Sequence, residues 1–177
     1  MSTYRFGPPA TITAGMHPFY DVLVEAASKA CQRHYGARLV SVAVFGSVGR
    51  RTPGPDSDID LLVVAEQLPR GRLARSDDFA AVERSLNPQL TSAHAHGLHP
   101  TLSPIFKTPE EVAAGSPLFL DMLDDGRILY DRDGFLQQAF EAFADRLARL
   151  GARRIWREDS WYWDLKPDYK PGEVFEI

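Results

Sequence analysis

Asp58 and Asp60 are separated by one residue at the head of an apolar run, Leu61-Leu62-Val63-Val64. In a strand the side chains alternate between faces, so the two carboxylates project the same way while Ile59 and Leu61 project the other. Like charges at that spacing repel, and at the start of an apolar strand they are costly unless something positive sits between them. Mg²⁺ suits the position: it is a hard cation that takes carboxylate oxygens and shares itself with substrate phosphates. Upstream, Gly46-Ser47 follows a second apolar run, Leu39 to Phe45, broken only by Ser41. A glycine after a strand lets the backbone approach a ligand closely. The serine can open a short helix whose free N–H groups favour an anion. A phosphate cradle therefore lies close in sequence to a metal-binding carboxylate pair.

The elements that must position these residues follow from periodicity. Val42 to Val64 divides into two β-branched, buried strands joined by a polar Pro/Gly-rich link, Arg50 to Ser57. His17 to Tyr35 predicts a supporting helix, with Phe19, Val22, Leu23, Ala26, Ala27 and Ala30 on its apolar face and Gly36 ending it. Beyond Val64, Arg70, Arg72 and Arg75 lie in a polar stretch. One of them could contact a nucleotide phosphate, but a solvated loop is the preferred reading. A helix carrying Phe79, Val82 and Leu86 follows and is expected to end at Asn87-Pro88. His94, His96 and His99 fall in a loop-like stretch without a cysteine partner, so a zinc site is a weak reading. Leu98 to Phe106 reads as a third strand, and Pro100 and Pro104 give it an edge or bulged character. Thr108-Pro109-Glu110-Glu111 has the form of a helix N-terminus. Helices at Leu118 to Leu123 and Phe135 to Leu150 flank a short strand, Arg127 to Asp131. The tail from Arg157 to Ile177 reads as irregular but aromatic-rich, holding Trp161, Tyr162, Trp163, Tyr169 and Phe175.

The central stretch resembles the nucleotidyltransferase superfamily that includes DNA polymerase beta, in particular its small prokaryotic minimal nucleotidyltransferases. Gly46, Ser47, Arg50, Ser57, Asp58, Ile59, Asp60, Leu61 and Leu62 carry the resemblance. The pattern is Gly-Ser, an arginine three residues after the serine, then Asp-hydrophobic-Asp. Where a glycine often follows that arginine, this chain has Arg51. The resemblance implies an α/β (α+β) fold, a small mixed twisted sheet with helices mainly on one face. It implies a Mg²⁺- or Mn²⁺-dependent enzyme moving a nucleoside monophosphate from an NTP, by family habit ATP, to an acceptor hydroxyl. In that reading Asp58 and Asp60 are catalytic metal ligands, and Gly46, Ser47 and Arg50 bind the nucleotide phosphates. Active relatives usually carry a third carboxylate on the neighbouring strand. From Arg84 to Pro109 this chain has no Asp or Glu, and the slot falls to Thr101 or Ser103, with His99 nearby. The alternative is therefore a catalytically impaired nucleotide-binding or protein-interaction module on the same scaffold.

Composition sets the outer limits. The 177 residues are 44% hydrophobic and 25% charged, those of an ordinary globular chain. The domain organisation expected is a nucleotidyltransferase domain over residues 1–157, followed by an aromatic and acidic tail, 158–177, packed on it or on a partner. A net charge of −4 weighs against a nucleic-acid acceptor and favours a protein or small molecule. No apolar run approaches the roughly 18 residues of a membrane span, and no signal-peptide core opens the chain, so a cytoplasmic protein is expected. The single cysteine, Cys31, lies in a helical apolar pattern and reads as a buried structural thiol. Homo- or hetero-oligomers fit the resemblance, since small family members pair with helical toxin-like proteins.

Overall fold

The computed structural model describes residues 18–157, 160–175 and 177. The lead-in Met1 to Gly15 and the tail acids Asp159 and Glu176 lie outside the described residues. In chain order the elements are α1 (Pro18–Tyr35), β1 (Leu39–Phe45), α2 (Gly46–Gly49), β2 (Ile59–Ala65), α3 (Arg72–Ser85), α4 (Asn87–Ala95), β3 (Leu102–Lys107), α5 (Pro109–Ala113), α6 (Leu118–Asp125), β4 (Arg127–Asp131), α7 (Phe135–Leu150), β5 (Arg153–Arg157) and β6 (Ser160–Asp164).

A four-stranded mixed sheet runs β3-β2-β1-β4. The β2–β3 pair is parallel, and β1 is antiparallel to both β2 and β4. Every residue of β1 is buried, and every residue of β2 except Asp60. Such strands are apolar on both faces and need cover on both. Helices α1, α3 and α4 supply it on one face, where Leu23, Ala27, Phe79 and Val82 meet Val42, Val44, Leu61 and Val63. Helices α5 to α7 supply it on the other, where Phe119, Met122, Phe140 and Phe143 meet Val40, Ala43, Leu62 and Val64. The α/β mixed-sheet class is as expected. The expectation of helices mainly on one face is corrected to helices on both, for this reason.

Other local readings also shift. The inward stripe of α1 is Tyr20, Leu23, Val24, Ala27 and Cys31, whereas Val22 is 54% exposed. Asn87-Pro88 opens α4 instead of merely ending α3. Proline in a first helical turn forfeits no hydrogen bond. His94 therefore sits on a helix, its ring 5.4 Å from that of His99. Among the described residues no group of three or more His, Cys, Asp or Glu is placed to hold a metal. Burial pushes the Cys31 thiol up to about 12, as a structural cysteine requires.

Strand β3 is an edge strand, and Pro104 is compatible with it. The Ile59 N–H donates to Thr101 O at 2.7 Å, so Thr101, Ser103 and Ile105 turn their backbone groups to β2. Leu102, Pro104 and Phe106 turn theirs away, and the missing proline N–H costs the ladder nothing. Buried Ser41 is explained by its hydrogen bond to Asp131 Oδ1 at 2.6 Å. The same carboxylate accepts the Leu136 and Gln137 N–H groups at 2.9 and 3.0 Å, tying β1 and β4 to the start of α7. The tail begins as a hairpin, not as irregular chain: β5 and β6 pair antiparallel, and Arg153 faces Asp164 at 3.5 Å. Trp163, Leu165 and Ile177 pack against the α6–α7 core.

Candidate active site

Strand β1 ends at Phe45, which pairs with Asp60 across the sheet. The chain then turns through Gly46, at φ +65°, into the single turn of α2. A Cβ placed on Gly46 would collide with Asp60 Oδ2. Glycine is required twice over here, by the left-handed backbone and by the carboxylate against it. Gly49 is required as well: a Cβ there would meet the Asp125 carbonyl, and it would stand 3.1 Å from the Val44 carbonyl. The sequence reading passed over Gly49, because nothing in a Gly-Ser-Val-Gly run tells which glycine is crowded by distant backbone.

On the other side of Asp60 lies Ser103, its partner in the parallel ladder. Of the two residues expected in the third-acid slot, Ser103 is thus the one that meets Asp60. Thr101 is engaged through its carbonyl with Ile59, and His99 through its N–H with Pro55 O at 2.8 Å. Burial raises the Asp60 carboxyl above its ordinary range. The neighbouring Ser103 hydroxyl opposes the rise, Asp58 adds to it by repulsion, and Arg50 opposes it. Asp60 is therefore a carboxylate penalised first by its burial, with the neighbouring Asp58 adding to the penalty. Two carboxylates open to solvent on one side are a donor set suited to Mg²⁺, which keeps further positions for water and substrate phosphates.

Arg50 lies at the end of α2 and pairs with Asp125 Oδ2 at 2.9 Å. Asp125 is only 10% exposed and also lies 3.8 Å from Arg154 of β5, which holds Asp124 at 2.9 Å. The arginine of the motif is thus positioned by α6 and is not a merely solvated turn residue. Arg51 adopts φ +65°, a left-handed backbone that a side chain rarely takes. Arg127, which the sequence reading treated only as part of a strand, donates to Val48 O at 3.3 Å and stands 3.6 Å from Asp21. Its pKa is lowered, first by burial and then by the charge of Arg51.

The loop that delivers Asp58 is held from α1. The Tyr20 hydroxyl, on a side chain buried to 2% exposure, faces the carbonyl oxygens of Gly54 at 2.9 Å, Ser57 at 3.1 Å and Pro55 at 3.3 Å. The Ser57 side chain closes the same loop by accepting the Gly54 N–H at 2.9 Å. Of the arginines after β2, Arg75 is neither a solvated residue nor available to a phosphate. It grips Glu111 with two hydrogen bonds of 2.8 and 2.9 Å and donates to Pro69 O and Phe106 O.

Comparison with known proteins accords with this arrangement. The Nucleotidyltransferase domain family matches residues 24–111, from α1 through the start of α5. A relative from Methanocaldococcus jannaschii, provisionally named a protein adenylyltransferase, is 31% identical over 133 residues, covering 74% of this chain and 85% of its own. Among solved structures, a toxin–antitoxin complex with AMP-PNP aligns at 18% identity and a TM-score of 0.42, over 72% of this chain and 92% of the other. A tri-AMPylated Shewanella oneidensis HEPN toxin in complex with MNT antitoxin aligns at 17% and 0.40, over 73% and 92%. With its Gly-Ser turn and twin aspartates set in a four-stranded mixed sheet, and with the sequence relationships just given, the chain belongs to the nucleotidyltransferase family, enzymes that transfer nucleotidyl groups.

Proposed function

We propose that the protein is a Mg²⁺-dependent adenylyltransferase that moves AMP from ATP to a hydroxyl of a protein acceptor. The observation that carries this reading is the contact of Gly46 with the Asp60 carboxylate, which sets an anion cradle beside a cation site. The name of the 31% identical relative supports the choices of ATP and of a protein acceptor. A divalent cation between Asp58, Asp60 and the substrate would supply Lewis-acid polarisation of the α-phosphate. The residues of the chain do the rest. Gly46 and Ser47 hold the β- and γ-phosphates at the start of α2, and Arg50, steadied by Asp125, neutralises charge there. Asp58 and Asp60 would hold that cation, which would draw the α-phosphate into place for in-line attack. The acceptor oxygen bonds to the α-phosphorus as the bond to the β-phosphate oxygen breaks. Pyrophosphate leaves with the electron pair, and the acceptor proton passes to solvent. Ser103, paired with Asp60 in the parallel ladder, stands beside it with a hydroxyl and adds no third anionic ligand.

The cytoplasm, with its ATP and its reduced thiols, is the compartment we infer. No helix among the described residues is long and apolar enough to cross a membrane. Incubation of the full chain with α-labelled ATP, Mg²⁺ or Mn²⁺ and a cell extract tests the reading. Label should appear on protein, and Asp58→Asn should lower it by about 100-fold or more. Nucleotide binding with no label under either metal would instead make the chain a binding module without turnover. Transfer that survives Asp58→Asn would remove the site assignment.

A further inference from the structure

The sheet order decides from which side an acceptor can come. Asp60 has Gly46 and α2 on its β1 side and Ser103 on its β3 side. If the triphosphate tail runs towards α2, as proposed above, the leaving pyrophosphate lies on the β1 side. In-line displacement then requires the attacking oxygen on the β3 side. A cavity of about 570 Å³ opens there, and Ser103, the residue paired with Asp60 across the parallel ladder, is part of its lining. This volume lies in the range of small-ligand and side-chain sites.

The lining of that cavity is charged unevenly. Arg72, Arg75 and Lys107 contribute cations, and Glu111 is the one carboxylate. Glu111 is already gripped by both terminal nitrogens of Arg75 and lies close enough to Lys107 to feel its charge. Arg72 is exposed at the first residue of α3, and Lys107 stands half-buried at the last residue of β3. The cavity is therefore net positive on a chain whose net charge is −4. Strand addition is not its use. On the outward side of β3, Pro104 has no N–H to give, and the Phe106 carbonyl is taken by Arg75 at 3.1 Å. What remains is a pocket for a side chain, rimmed by cations.

We infer that this cavity is the acceptor site, and that Arg72 and Lys107 select a polypeptide hydroxyl flanked by acidic residues. The assignment rests on the transferase reading. Its chemical content is charge complementarity between an acidic segment and a positive rim, which governs encounter and register more than raw affinity.

The test uses the full chain and the double variant Arg72→Glu/Lys107→Glu. Two fluorescent peptides serve as probes, one with tyrosine flanked by glutamates and one with tyrosine flanked by lysines. Binding is read by anisotropy at low salt, and labelling by transfer from α-labelled ATP with Mn²⁺. The acidic peptide should be favoured by about tenfold in binding, and the double variant should reverse that order. Binding of a fluorescent ATP analogue should stay unchanged, because neither residue is placed at the phosphates. Equal binding of the two peptides, or a preference untouched by charge reversal, overturns the inference. If neither peptide accepts label but an extract protein does, labelling of that protein must fall about tenfold in the double variant, and unchanged labelling overturns the inference as well. Failure of the wild type to label any protein at all would instead defeat the transferase reading itself, so the two failures are distinct.

Discussion

Asp60 carries a cost that the proposed metal site would explain. Its carboxyl is raised above the ordinary value of about 3.8, first because it is partly desolvated, and Asp58 adds repulsion to that. A raised carboxyl binds its proton more tightly in the fold than in the unfolded chain. Ionised Asp60 therefore destabilises the metal-free fold at neutral pH, and the cost fades as pH falls through the raised value towards 3.8. Asp60→Asn removes the charge while keeping an acceptor for Ser103. In EDTA at pH 7.5 its melting temperature is expected to rise by about 1–3 °C, even as transfer is lost. Scanning fluorimetry reads the stability. An unchanged or lowered melting temperature would mean that ionised Asp60 carries no such penalty. The same proton competes with a divalent cation, so Mn²⁺ affinity, measured by electron paramagnetic resonance, should weaken as pH is lowered into the raised range of Asp60. The spacing of Asp58 and Asp60 was legible from the sequence as a period of two, although β2 itself begins only at Ile59 and Asp58 belongs to the loop before it. That Ser103 stands opposite Asp60 was legible only as a choice between Thr101 and Ser103. Register across a parallel pair is set by the crossover between the strands, and sequence spacing alone does not fix it.

At the scale of elements, α1 acts on the site without touching substrate. Its Tyr20 hydroxyl has one hydrogen facing three carbonyl oxygens of the loop of Gly54 to Ser57, so it tethers the loop through one shared donor. That loop runs straight into Asp58. Tyr20→Phe keeps the ring in the core and removes only the tether. The variant is expected to fold, losing about 1 kcal/mol, while the Mn²⁺ concentration for half-maximal transfer rises roughly fivefold and the maximal rate falls less. Metal titrations of wild type and variant check this. Equal metal dependence in the two would reduce Tyr20 to a packing residue. The tether was hidden from the sequence for a clear reason. The notional apolar face of α1 was built on Phe19 and Val22, and a tyrosine at position 20 reads as a residue beside that face. The true stripe is rotated towards Tyr20 because the face against the sheet must also reach the loop after α2.

For the whole molecule, the C-terminal hairpin is joined to the site by charge as well as by packing. Arg154 of β5 meets Asp124 and Asp125, and Asp125 in turn steadies Arg50. Trp163 and Leu165 lie against the same core that backs β1 and β2. Truncation after Ala152 should therefore lower the melting temperature by about 5 °C or more and raise the KM for ATP more than Arg154→Gln does alone. A truncated chain with unaltered melting and kinetics would make the hairpin an appendage. By itself the sequence determined the strand pair, the twin acids, the Gly-Ser turn, the capping box at Thr108 and the long amphipathic helix at Phe135 to Leu150, because each depends on local period or local backbone chemistry. Only the tertiary structure decided that both sheet faces are covered, that Arg75 belongs to Glu111, that Arg50 is held by Asp125, and that Ser103 stands beside Asp60. Those are contacts between residues far apart in the chain, and their partners are chosen by how layers pack, which no local spacing encodes.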